Sequence, residues 1–86
     1  MDIHIPESGS LKSKRFVLKS LKDRVHNKFN VSIAEVDSND LWQRSSLGVA
    51  IVANDSSHAH KVLEKVVSFT ENTPEIELLD YEIEVL

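Results

Sequence analysis

Apolar residues recur along this chain with two different spacings, and the changes in spacing predict its helices and strands. Within residues 11–29 and again within 59–69 they lie three, four or seven positions apart, which places them on one face of an α-helix. Ser10 stands just before the first of these segments and a polar stretch at 54–57 before the second, so each helix should begin with an N-capping side chain. Asn30 is expected to end the first helix in a left-handed conformation.

Four further segments are predicted to be strands, because their apolar residues are β-branched or alternate with polar ones. They cover residues 3–5, 31–36, 47–53 and 81–85. The order strand, helix, strand, strand, helix, strand predicts an α+β, ferredoxin-like βαββαβ sandwich. In that fold a four-stranded antiparallel sheet carries two helices on one face.

The alternation within the strands also predicts the two faces of the sheet. Facing the helices we expect Leu47, Val49, Ile51, Tyr81, Ile83 and Val85. On the open face we expect Gly48, Ala50, Val52, Glu82 and Glu84. The alternation breaks near Ala34 and again between Leu78 and Leu79, where bulges are expected.

Chain length and composition restrict the class of protein. Eighty-six residues suit one domain, spanning 1–86, with a modest core and no room for a two-domain catalytic cleft. Without cysteine there is no disulfide, thiolate metal site or thiol nucleophile, and we expect a cytoplasmic protein. The longest apolar run, 49–53, is far shorter than the ~20 residues of a membrane span, and the start lacks the basic residues of a secretory signal.

The net charge of -4 conceals an asymmetry along the chain. Seven of the ten basic residues lie between positions 12 and 28, where Asp23 is the only acid. From Glu35 onward, eleven acidic residues face three basic ones. The net charge excludes a protein that binds nucleic acid over a uniformly basic surface. The placement of the basic residues still permits a protein that binds nucleic acid on one side only.

The first helix is the candidate RNA-binding surface. At 100° per residue its basic side chains flank the apolar stripe, and Phe16 falls outside that stripe beside them. Basic groups beside an exposed aromatic ring suit a phosphate backbone and an unstacked base. The RNA-binding candidates are Lys12, Arg15, Phe16, Lys19 and Lys22. The alternative is that these basic residues only form a solvated face of the helix. Lys14 falls inside the apolar stripe near the start of the helix, and we expect its ammonium group to reach water there.

A second candidate surface is the open face of the sheet. RNA-recognition domains place aromatic side chains there, but this chain has small apolar residues beside two glutamates. Such a strip suits another protein or a second copy of the chain. Trp42 should fold back over the sheet end, or else act with Arg44 as a binding anchor. The interface candidates are therefore Trp42, Arg44, Ala50 and Val52.

The sequence gives little support for an enzymatic function. Acylphosphatases share this topology, but they need a glycine-rich anion cradle with an arginine where this chain has residues 6–10, including Glu7. His58 and His60 point about 200° apart on a helix, so they cannot share one metal ion. We expect a non-enzymatic protein without cofactor or metal; weak anion binding at the Ser10 helix start is a lesser alternative.

Four segments occur in an order and at a spacing that match a known pattern. They are His4-Ile5-Pro6 followed by Ser10-Leu11-Lys12 and Lys14-Arg15, then Phe29-Asn30-Val31-Ser32 with Ala34-Glu35, Asp40-Leu41-Trp42-Gln43-Arg44, and Leu47-Gly48-Val49. Together they resemble the YlxP-like family of small bacterial proteins over nearly the whole chain. The resemblance implies a ferredoxin-like fold. It also implies a role near ribosome maturation, because members are typically encoded beside a ribosome-binding factor and a translation initiation factor.

Relatives in that family usually carry several more residues in and before the first strand, so this strand is expected to be truncated, with some loss of stability. The leading hypothesis is a non-enzymatic module that contacts ribosomal RNA or a ribosome-assembly particle through its first helix. The alternative is a protein-interaction or homodimerisation domain that uses the open sheet face or an edge strand.

Overall fold

A computed structural model describes residues 1–85. The elements are β1 (Asp2–His4), α1 (Leu11–Lys28), β2 (Ser32–Asp37), β3 (Arg44–Ala50), α2 (Ser56–Glu71) and β4 (Glu77–Asp80). They build a four-stranded sheet in the order β2-β3-β1-β4, with each neighbouring pair antiparallel. The predicted α+β, ferredoxin-like βαββαβ fold is confirmed.

Both helices begin where the sequence places an N-cap. The Ser10 hydroxyl accepts the Ser13 N–H at 3.1 Å, and the Asp55 carboxylate accepts the Ser57 N–H at 2.8 Å. The end of α1 differs from the prediction, because Phe29 leaves the helix directly in an extended conformation. Its ring meets Phe69 of α2 edge-on at 5.9 Å, which fixes the direction of the chain at that point. Asn30 is therefore not left-handed; among residues 1–85, the only non-glycine with positive φ is Ser38.

The third and fourth strands lie earlier in the chain than predicted. β3 covers Arg44–Ala50 and β4 covers Glu77–Asp80, instead of 47–53 and 81–85. The short β1 explains the shift at β4, because within residues 1–85 β1 is the only strand that β4 pairs with, and Asp2 lies opposite Asp80. Residues 81–85 have no β1 residue alongside them and form no strand.

The core fills the space between the sheet and the two helices. Its buried members are Ile3, Ile5, Leu18, Leu21, Val25, Ile33, Leu47, Val66 and Ile76. Of the residues predicted to face the helices, Leu47 is buried, and Val49, Ile51 and Ile83 are half-buried. Tyr81 and Val85 are exposed, contrary to the prediction, because they lie beyond the end of β4.

Two bulges interrupt the sheet ladders. The β2–β3 register shifts between Glu35 and Asp37, slightly later than the break predicted near Ala34. The β1–β4 register passes from Leu78 to Asp80 and omits Leu79, as predicted. Ile33 and Glu35 thereby share the face that meets α1, and the β2 bulge lies immediately after Glu35.

Lys14 is buried in the helix–sheet interface, with only 1% of its side chain exposed. Its Nζ lies 2.8 Å from Glu35 Oε2 and donates to the carbonyl oxygens of Ser38 at 2.6 Å and Leu41 at 2.7 Å. The Ser45 hydroxyl donates to the same carboxylate oxygen at 2.6 Å. The expectation that this ammonium group reaches water was wrong, because Glu35 and the loop carbonyls supply its partners inside the fold.

Replacing Lys14 with methionine should destabilise the protein by about 3–5 kcal/mol, because the change leaves a partly buried carboxylate and two carbonyl groups without their donor. The double variant Lys14→Met/Glu35→Leu should lose clearly less than the sum of the two single variants. Urea unfolding followed by circular dichroism measures all three free energies. Strict additivity would contradict a coupled pair.

Candidate nucleic-acid interface

Four basic side chains form a row along α1. Lys12, Arg15, Lys19 and Lys22 are three or four residues apart, a spacing that keeps them on one side of a helix over about 15 Å. The first three are exposed and Lys22 is half-buried. We call these four residues the basic row.

Phe16 lies beside the basic row, between Arg15 and Lys19 in sequence. Its side chain is 77% exposed, so the predicted exposure is confirmed. The ring lies outside the apolar core cluster, which α1 reaches through Leu18, Leu21 and Val25. An aromatic ring in this position is available to a partner without disturbing the core.

One member of the basic row is paired within the protein. Lys19 Nζ lies 2.7 Å from Asp23 Oδ2 one helical turn away, and both side chains are largely exposed. The hydrogen bond from Lys19 lowers the pKa of Asp23 below 3.8, with help from the charges of Lys19, His26 and Lys22. In the described part of the chain, the other three members of the row form no ion pair.

The start of α1 offers little to a small anion. The Ser10 hydroxyl is already the N-cap acceptor, and the hydroxyls of Ser8 and Ser13 lie within hydrogen-bond distance of each other and of the Ser10 carbonyl oxygen. Lys14 is occupied by Glu35 and the loop carbonyls. Lys12, in the first turn of α1, is exposed to solvent.

Trp42 is exposed on the loop between β2 and β3. The loop backbone faces inward, where the Leu41 carbonyl accepts from Lys14 Nζ and the Gln43 carbonyl accepts the Ile5 N–H at 2.9 Å. The Gln43 side chain also turns inward and donates to the Pro6 and Ser8 carbonyls, whereas Trp42 is 55% exposed. The expectation that Trp42 folds back over the sheet end was wrong.

The other interface candidates are also on the surface. Arg44 and Ala50, at the two ends of β3, are exposed, and Val52 just beyond the strand is fully exposed. Val36 lies over Gly48 on the open face, so close that a β-carbon at Gly48 would be 3.0 Å from Val36 Cγ1. The structure does not bring the loop pair, Trp42 and Arg44, into one patch with Ala50 and Val52, which follow at the far end of β3.

Two of the four histidines each pair with one carboxylate. His4 Nδ1 lies 3.2 Å from Glu77 Oε2, and His60 Nε2 lies 3.4 Å from Glu64 Oε1. Within residues 1–85, no three His, Asp or Glu side chains gather in the way that metal ligands do. In the same residues, neither helix has the length and apolar character needed to cross a membrane.

The structure contains a further basic cluster that the sequence pattern does not reveal. At the C-terminal end of α1, Lys28 Nζ lies 5.3 Å from the centre of the Phe69 ring. Lys28, Arg24 and Lys65 line a groove of about 410 Å³ beside that ring. Helix spacing alone could not identify it, because it joins the ends of two helices.

The fold and its surface together define the class of protein: a small α+β, ferredoxin-like domain with a cationic first helix. The chain belongs to the family described as "Protein of unknown function (DUF503)", whose family model matches residues 1–83. It is 49% identical over 73 residues to the "Uncharacterized protein YlxP" of Bacillus subtilis (strain 168), a match covering 85% of this chain and 79% of that protein. The resemblance found in the sequence is thereby confirmed.

Replacing Lys19 with methionine should raise the pKa of Asp23 toward 3.8, because the change removes the hydrogen bond that lowers it. The pair stabilises the fold above the unfolded-state pKa of Asp23, and this contribution is lost as the pH falls through the lowered folded-state pKa. Titration of the side-chain carboxyl ¹³C resonance by NMR measures the shift. An identical pKa in both proteins would show that the pair does not form in solution.

Proposed function

We propose that this protein is a non-enzymatic module that binds RNA through α1. The basic row contacts phosphate groups, and Phe16 stacks on an unpaired base. The observation that carries the proposal is the Phe16 ring, 77% exposed beside a row of basic side chains. Exposed aromatic and basic groups are the two components that sequence-tolerant RNA binding requires.

The charge distribution supports binding on one side only. The described residues near the open sheet face and after β4 include exposed Glu82 and Glu84, which repel phosphate. The basic row therefore offers RNA the favourable side of a protein whose net charge is -4. A one-sided field of this kind orients an approaching polyanion toward α1.

The proposed ligand is a single-stranded loop or end. Stacking on Phe16 needs a base that is free of its own stack, and duplex RNA does not offer one. A row about 15 Å long reaches only a few phosphates. Contact with three or four phosphates on a single strand predicts a slope of about -2 to -3 for log affinity against log salt. Ribosomal RNA or an assembling ribosomal particle is the proposed partner, on the strength of the genetic setting typical of YlxP-like proteins.

The double variant Arg15→Glu/Lys19→Glu should weaken RNA binding by more than about 100-fold at low salt, because it places two carboxylates in the basic row. The matched control is Lys61→Glu/Lys65→Glu, which makes the same charge change on exposed positions of α2. Fluorescence anisotropy with a labelled single-stranded RNA compares them across a salt series. Asp23→Asn, which frees Lys19, should tighten binding.

Equal losses in the test variant and in the α2 control would mean that only the total charge matters, and the proposed interface would be wrong. Absence of low-salt binding in the unaltered protein, both to this RNA and to ribosomal particles in co-sedimentation, would remove the proposal itself.

Phe16→Ala should reduce RNA affinity by about 5- to 150-fold, the range expected for the loss of one base–aromatic stack. The salt slope should stay the same, because no phosphate contact is removed. Phe16→Trp should restore the affinity, since tryptophan also offers a stacking face. Urea unfolding serves as the control, because an exposed side chain contributes little to stability. Unchanged affinity in Phe16→Ala would leave the ring without a role in RNA binding.

A further inference from the structure

The groove of about 410 Å³ between the end of α1 and the second half of α2 is positively charged. We call it the helix groove. Its charged lining residues are Arg24, Lys28 and Lys65, and it lies beside the Phe29 and Phe69 rings. Within residues 1–85, no aspartate or glutamate lines it, although the chain contains 14 acidic residues. The helix groove therefore attracts anionic groups to a protein whose net charge is -4.

The basic side chains of the helix groove are available to a ligand. Lys28 and Lys65 are exposed, and neither forms an ion pair in the part of the chain that the structure describes. Arg24 makes a loose contact with Glu75, in which Nη2 lies 3.9 Å from Oε2. Because Glu75 is exposed, Arg24 can leave it at little cost and turn to an anionic ligand.

The position of the Lys28 ammonium group favours acidic side chains over nucleic acid in this groove. Lys28 Nζ lies 5.9 Å from the centre of the Phe29 ring and 5.3 Å from the centre of the Phe69 ring. Both rings also pack against the core, so the ammonium group covers their outer side. A base cannot stack on either ring without displacing it. A carboxylate, by contrast, can accept hydrogen bonds from the same ammonium group.

The spacing of the basic residues fits a short extended peptide. Arg24 and Lys28 are four residues apart on α1, or about 6 Å along the helix axis. In an extended segment, side chains two positions apart point the same way and are about 6.6 Å apart. On α2 the lining residues run from Lys65 to Asn72, over about 10 Å, which is room for about three extended residues.

We propose that the helix groove binds a short acidic segment of a partner protein, in which two carboxylate side chains lie two positions apart. One carboxylate contacts Lys28 and Lys65, which approach it from the two helices, and the other contacts Arg24. Clusters of basic side chains recognise acidic peptide motifs in this way. At 100° per residue, Arg24 and Lys28 lie on the opposite flank of α1 from the basic row, so the site does not depend on RNA binding.

The test uses a capped hexapeptide of alternating glutamate and serine, added to ¹⁵N-labelled protein and followed by NMR. The salt concentration is about 0.15 M, which screens charges outside the groove. The expected result is amide shifts at Lys28, Phe29, Lys65 and Phe69. A peptide of alternating glutamine and serine should cause none. A peptide of three glutamates followed by three serines should bind more weakly, because adjacent side chains of an extended segment point to opposite sides.

The double variant Lys28→Glu/Lys65→Glu should weaken binding of the glutamate–serine peptide by about tenfold or more, because two attractive contacts become repulsive. The matched control is Lys12→Glu/Lys61→Glu, which makes the same charge change at one exposed lysine of each helix outside the groove. It should weaken binding by less than about threefold, since its charges are screened. Urea unfolding shows whether both variants remain folded.

Equal losses in the groove variant and in its control would overturn the proposal, because total charge alone would then explain binding. It would also be overturned by absence of shifts at the four amides, by equal affinity for the glutamate and glutamine peptides, or by self-association that protects these amides. Displacement of the peptide by a single-stranded RNA would have the same meaning. Arg15→Glu/Lys19→Glu, the variant that tests RNA binding, should keep peptide binding within the range of the control, so failures of the two proposals can be told apart.

Discussion

The contact between Lys14 and Glu35 links α1 to the sheet and to the loop between β2 and β3. Lys14 Nζ reaches the Glu35 carboxylate and the carbonyl groups of Ser38 and Leu41, so one side chain sets the distance among three parts of the chain. An ammonium group without these partners could not stay in the interface, because burying an unpaired charge is costly. Trp42 faces solvent as a result, since the loop backbone is turned inward. The pair also removes one lysine from the helix surface and leaves the basic row to define it.

Features controlled by local sequence could be predicted well. The element order, the starts of both helices and the exposure of Phe16 follow from residue spacing and capping chemistry, which act over one or two turns. The bulge at Leu79 could also be predicted, because a break in the alternation of apolar and polar residues is a local signal. The fold followed from the element order, since few topologies connect such elements without crossing.

Features that depend on distant partners could not be predicted in the same way. Lys14 stood inside the apolar stripe, a position that signals burial, but its partner lies 21 positions later and only the folded sheet brings the two together. The bounds of β3 and β4 depend on where β1 lies. The orientation of Trp42 was predicted wrongly, because it follows from the hydrogen bonds that the backbone of the β2–β3 loop makes with distant residues. Register and long-range pairing decide these features, whereas periodicity does not.

The two bulges lie on the two outer strands, β2 and β4. Each inserts an extra residue, Val36 in one strand and Leu79 in the other, which twists the strand and breaks the regular row of backbone groups along its outer side. Flat, regular outer strands allow sheets of different molecules to join into fibrils, and irregular ones hinder this. Acidic residues at Glu77 and Asp80 reinforce the effect on β4, because like charges repel when two copies approach. The bulges thus make edge-to-edge pairing between two copies of this sheet less favourable.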